Sequence, residues 1–87
     1  MEKWFTYIIE CEDESLYTGC TNDLNRRFRQ HSEGIGGKYT ASHKPIRILF
    51  FEGYNTRSEA LKREIQIKGW SHSKKINFIK NQNSPER

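Results

Sequence analysis

Long apolar runs are missing from these 87 residues, of which only 33% are hydrophobic. None approaches the roughly 18 apolar residues that a membrane span needs. The opening Met1-Glu2-Lys3-Trp4 lacks a secretory leader pattern, so the expected location is the cytoplasm. Cysteine is scarce: Cys11 and Cys20 fit reduced thiols in that compartment, and a structural disulfide is not expected. With no Cys-x-x-Cys pair and no tight histidine spacing, a zinc site drawn from these cysteines and His31, His43 and His72 is disfavoured. A phosphate-cradling glycine loop is absent too, since Gly34 to Lys38 has the glycines without the spacing. Nor is there the carboxylate-rich constellation of a two-metal nuclease.

The apolar residues that are present cluster in segments, which argues for a folded domain. Residues 1–82 are read as a single domain and 83–87 as a flexible polar tail. A formal charge of +4 and a pI near 9.2 permit an anionic partner.

Trp4 to Cys11 is aromatic and β-branched and reads as a strand with Phe5, Tyr7, Ile9 and Cys11 on one face. A polar turn, Glu12 to Ser15, leads to a second strand, Leu16 to Cys20, although the turn lacks the glycine that tight hairpins favour. Thr21 or Asn22 caps a helix to about Ser32, with Asp23 in its first turn, Leu24 and Phe28 as its apolar stripe and Gly34 closing it. Gly36-Gly37 extend a loop. Ile46 to Phe51 follows Pro45 as a third strand, apolar enough to be buried almost throughout. Thr56 or Ser58 begins a second helix to about Lys68, with Ala60, Leu61, Ile65 and Ile67 inward. Gly69 interrupts it, and Ser71 or Ser73 caps a last helix carrying Ile76, Phe78 and Ile79. The expected class is α+β: a small three-stranded antiparallel sheet flanked by helices, in the order β-β-α-β-α-α.

Tyr7 and Tyr17 fall on adjacent strands, where their hydroxyls can converge on one water; taken alone, strand tyrosines read as core-edge residues. Gly19, late in a strand, marks either a bulge or the close approach of another backbone or a ligand. Arg27 lies four residues before His31, so both project from one side of the first helix. Arg27 can hold a phosphate bidentately, and His31 can bond a tyrosine hydroxyl or a nearby water. With Arg26 and Arg29 adjacent, the plain reading of both is a solvated basic face. Glu64 sits at the border of the second helix's inward stripe, where a carboxylate can hold one Mg²⁺, an ion that keeps several waters. Its plain reading is an i,i+4 pair with Lys68. Glu59, the competing acid, is expected to face solvent, and Lys38 can touch a backbone phosphate.

In order and spacing this set resembles the GIY-YIG endonuclease superfamily, specifically its small single-domain bacterial branch. Phe5-Thr6-Tyr7 stands where that family has Gly-Ile-Tyr, and Tyr17-Thr18-Gly19 where it has Tyr-Ile-Gly. Arg27 falls ten residues after the second tyrosine, as the family's arginine does, and His31 four further on, where members carry His or Tyr. Ser58 to Lys68 matches the helix bearing the metal-binding glutamate, which maps onto Glu64. Gly36 to Thr40 and Lys44-Pro45-Ile46 also look like the small branch, and the resemblance spans about residues 4 to 80. Two departures are lineage features: the first motif keeps only its tyrosine, and Cys20 stands where the excision-repair nucleases have a lysine.

The resemblance implies DNA hydrolysis with one divalent ion, Mg²⁺ or Mn²⁺, held by Glu64, with a role in repair or recombination. Arg27 would stabilise phosphate charge, Tyr7 would take the proton from the attacking water, and Tyr17 and His31 would orient that water. Gly19, Arg26, Lys38 and Lys68 are the expected nucleic-acid contacts. The expected partner is DNA, branched or damaged, met by a monomer whose targeting comes from another protein. Two other readings stand beside this one: a nucleic-acid-binding module with the nuclease fold but little cleavage, and an interaction protein using a patch around Trp70.

Overall fold

The structure, a computed structural model, describes residues 3–35 and 42–82. The expected Gly36-Gly37 loop, Lys38 and the 83–87 tail lie outside the described residues. In chain order the elements are β1 (Trp4–Cys11), β2 (Leu16–Thr21), α1 (Leu24–Ser32), β3 (Pro45–Tyr54), α2 (Arg57–Lys68) and α3 (His72–Gln82). The three strands form one antiparallel sheet in the order β2-β1-β3, the architecture that the sequence predicts.

β1 is the spine because its aromatic and β-branched residues suit a pleated strand that is paired on both sides. Thr6 lies opposite Cys20, Tyr7 opposite Gly19 and Ile8 opposite both Thr18 and Phe50. Thr6, Tyr7, Ile8 and Ile9 are all buried, so helices must cover both faces of the sheet. On one face Tyr7, Ile9 and Cys11 pack against Leu24 and Phe28 of α1. On the other, Ile8 and Phe50 pack against Ile67 of α2 and Ile79 of α3, with Trp70 and Phe78 closing the cluster. The Thr6 hydroxyl donates to the Ala60 carbonyl at 2.7 Å. That buried bond fixes α2 over β1.

Several local details differ from the sequence reading. Asp23, expected in the first turn of α1, is itself the N-cap and accepts from the Arg26 N–H at 3.0 Å. Thr21 sits two residues earlier, its hydroxyl accepting from the Asp23 N–H. At the glycine-free hairpin turn Glu14 adopts φ 69°, a left-handed conformation that costs an L-residue roughly 1–2 kcal/mol. Asp13 offsets this by accepting from both the backbone N–H and the hydroxyl of Ser15. β3 is longer than expected and only partly buried, because it is an edge strand: Ile46 and Phe51 are exposed. In α2, Thr56 and Glu59 close a capping box. Ile65, expected inward, is 70% exposed; two residues from Ile67, it lies about 200° around the helix.

Cys11 and Cys20 are free. Cys11 lies at the turn end of the hairpin, whereas Cys20 lies opposite Thr6. Among the described residues no helix is long and apolar enough to cross a membrane.

Urea denaturation will separate these contributions. Ile67→Ala is expected to cost about 2–5 kcal/mol as a core cavity and Thr56→Ala about 1 kcal/mol as a lost cap. Ile65→Ala should stay within about 0.5 kcal/mol of the wild type.

Candidate active site

Tyr7 reaches the site by crossing its neighbouring strand. Because Tyr7 and Gly19 are register partners, the phenol lies directly over Gly19: a Cβ there would stand 2.6 Å from Cζ of Tyr7 and closer still to its hydroxyl oxygen. The β1–β2 register runs through Gly19 without a bulge, and the group that approaches it is neither backbone nor ligand but the side chain of Tyr7. Beyond the glycine the Tyr7 hydroxyl meets Nε2 of His31, on α1, at 2.9 Å. The Tyr17 ring stands edge-on to that imidazole, 5.0 Å between centroids. A cavity of about 380 Å³ opens here, lined by Tyr7, Tyr17, Gly19, Arg27 and Glu64 together with Trp4, Cys20, Arg57 and Leu61.

Burial sets the charge states. His31 is fully buried, and that burial, aided by the Arg27 charge, holds its imidazole pKa down at about 4. Burial pushes the Tyr7 phenol up to about 12 against the pull of a hydrogen bond from Arg27, while Tyr17 and Glu64 add to the rise. At neutral pH the hydrogen-bonded pair is therefore a neutral phenol and a neutral imidazole. The same logic raises the Cys20 thiol, by burial and then by the nearby Glu64 charge.

The remaining charges are directed as well as held. Arg27 Nη1 donates to Gln30 Oε1 at 3.1 Å, which steadies the guanidinium beside Tyr7. Glu64, its side chain only 14% exposed, pairs through Oε2 with Lys68 Nζ at 2.7 Å. The i,i+4 pair with Lys68 is formed, and the carboxylate also faces the cavity. Among the described residues no three His, Cys, Asp or Glu side chains converge as a metal cage. A single carboxylate facing an open cavity suits an ion of the Mg²⁺ type, which takes one or two protein oxygens and fills its shell with water and phosphate oxygens.

Of the residues singled out in the sequence, Tyr7, Tyr17, Gly19, Arg27 and Glu64 share this cavity, with His31 behind Tyr7 and Lys68 on Glu64. The solvated-face reading of His31 is overturned by its burial. Arg26 stands apart: exposed on α1, its Nη2 donates to Asn22 Oδ1 at 3.1 Å. Lys38 lies outside the described residues. Sequence reasoning passed over Trp4 and Arg57, whose pairing arises only when α2 packs on β1. The available signal was an arginine at the first position of a helix, where the dipole disfavours a cation.

Residues 3–77 match the family model of the GIY-YIG catalytic domain. The chain is similar to a UPF0213 protein of Staphylococcus aureus, 46% identical over 80 residues that cover 92% of this chain and 98% of that protein. It is also similar to the solution NMR structure of a UPF0213 protein from Bacillus halodurans, with a TM-score of 0.61 and 34% identity over 97% of this chain and 89% of that one. A solution NMR structure of a protein from E. faecalis gives a TM-score of 0.61 at 33% identity, covering 93% of this chain and 90% of the other.

Two outcomes are expected. Gly19→Ala drives a methyl group into an anchored phenol, so NMR should show the His31 ring resonances displaced, with stability falling by about 1–3 kcal/mol. Acid should destabilise the fold through His31, whose pKa falls from an unfolded value near 6.5 to about 4 on folding. Between these values the unfolded chain binds the extra proton. Stability is therefore complete above pH 6.5 and falls as pH drops toward 4, by at most about 1.4 kcal/mol per pH unit. Urea melts across this range should show that slope, and His31→Asn should remove it.

Proposed function

The chain belongs to the GIY-YIG family, and we propose that it is an endonuclease hydrolysing DNA phosphodiesters with one bound Mg²⁺ or Mn²⁺. The observation that carries this reading is the convergence on one cavity of a single carboxylate, Glu64, a guanidinium, Arg27, and a tyrosine backed by a buried neutral histidine. Glu64 is the residue that would hold the ion. When bound, that ion supplies Lewis-acid stabilisation of charge on the phosphate and on the leaving oxygen.

The other roles fall to this chain's own side chains. Arg27 donates to the phosphate oxygens as charge builds in the transition state. Tyr7, with its pKa near 12, is almost never a phenolate at neutral pH and cannot act as a free base. It can relay: the phenol oxygen accepts the proton of the attacking water while its own proton passes to Nε2 of His31. That transfer needs the imidazole neutral with its proton on Nδ1, and burial keeps it neutral. Negative charge on the bound phosphate opposes the burial that holds the His31 pKa down, so the imidazolium is stabilised as it forms. Tyr17, packed edge-on against the imidazole, orients the water. Lys68, half-exposed, is free to swing from Glu64 to a backbone phosphate when the carboxylate is needed.

The Glu64–Lys68 ion pair favours one second reading, a module that binds nucleic acid without cutting it, because the carboxylate already has a counter-ion. Labelled branched, single-stranded and duplex DNA, incubated with Mg²⁺, Mn²⁺ or EDTA, separates the two. The nuclease reading expects cutting only with metal, abolished by Glu64→Ala and slowed about 10²–10³-fold by Arg27→Ala, the loss typical of one transition-state donor. Its kcat/KM should fall on the acid side near pH 4, where free His31 titrates. Binding that survives Glu64→Ala with no cutting by the wild type would sink it in favour of the second reading.

A further inference from the structure

The cations lining the cavity, among the described residues, are Arg27 and Arg57. Arg47 and Arg63 are engaged by Glu10 and Glu52, whereas Arg57 has no carboxylate within ion-pair distance among the described residues. Trp4 holds it instead: the guanidinium carbon stands 5.6 Å from the centroid of the indole ring. Local helix physics does not account for this residue. Arg57 is the first residue of α2, at the positive end of the helix dipole, where a cation is disfavoured. The capping there is already complete, supplied by Thr56 and Glu59. A guanidinium stacked on an aromatic face is pre-organised, and its N–H edge stays free for bidentate bonding to phosphate.

Arg57 and Glu64 are seven residues apart on α2 and so share one face, about 10.5 Å apart along the axis. That separation puts Arg57 beyond a phosphate seated at Glu64 and Arg27. We infer that Trp4 and Arg57 form a second phosphate subsite, which takes a nucleic-acid backbone phosphate neighbouring the one to be cut. Arg57 is the binding group, and Trp4 is a positioning residue that acts through it. The inference rests on the endonuclease reading above and deepens it.

The test is equilibrium binding of a fluorescein-labelled branched DNA in EDTA across a salt series, so that cleavage plays no part. Each phosphate contact contributes about 0.7–0.9 to the slope of log K against log salt. Arg57→Gln should reduce the slope by about one such contact, and Arg57→Lys, which keeps the charge, should restore it. Trp4→Ala should weaken binding through the loosened Arg57, and Trp4→Phe should recover it. Arg47→Gln, at the other end of the sheet, should leave the slope unchanged, with thermal melts confirming that each variant is folded. A wild-type slope in Arg57→Gln, or an equal loss in Arg47→Gln, overturns the subsite while leaving the endonuclease reading intact. A wild type with no salt-dependent DNA affinity overturns both.

Discussion

The contact on which the site depends is the passage of Tyr7 over Gly19 to the imidazole of His31. It joins three elements, since the phenol comes from β1, the gap from β2 and the imidazole from α1. The crossing carries a hydroxyl from the middle of the sheet across its edge strand to a buried partner on α1. A side chain other than hydrogen on residue 19 would block that route. The family's second motif ends in glycine at this place, and here the need for it is steric: the residue that matters is the tyrosine one strand away.

The same arrangement explains how a small protein keeps polar groups inside without isolating them. Tyr7 and His31 are among its most buried side chains, yet they are both neutral and satisfy one another. The charged groups, Arg27 and Glu64, stand where the cavity gives them water or a neighbour. Burial therefore sorts the site into a neutral interior pair and a charged rim. That division needs no special residue types. It follows from how deeply each element places its side chain.

Strand and helix identity were legible because periodicity and caps are local. Thr56 with Glu59 and the β-branched run in β1 say what they are in isolation, and the order of the elements follows. The family likeness was legible through spacing, notably the step from Tyr17 through Arg27 to His31. What sequence could not supply was depth. His31 beside Arg26, Arg27 and Arg29 reads as a wet basic face, and only the packing of Phe28 and Leu24 against the sheet turns it inward. Ile65 fails the opposite way, since an isoleucine near an apolar stripe looks buried until the helix is placed. The charge state of Tyr7 was hidden for the same reason, since the burial that raises its phenol pKa comes only with the packing of the sheet. The pairing of Trp4 with Arg57 was invisible because the two meet only through tertiary packing.

A three-stranded sheet has two free edges, and here they have opposite fates. The β2 edge is spent on the cavity. The β3 edge is a ten-residue strand that leaves Ile46 and Phe51 exposed, the kind of template on which foreign strands nucleate aggregation. Its sequence carries the known deterrents. Pro45 withholds a backbone donor at the start, Arg47 sets a charge on the strand, and the β1–β3 register slips between Ile8 and Ile9 and again between Glu10 and Cys11. Such irregularities twist an edge away from the flat geometry that strand addition requires. Smoothing β3 into a regular ladder would therefore remove these deterrents and leave an edge prone to stack on its copies.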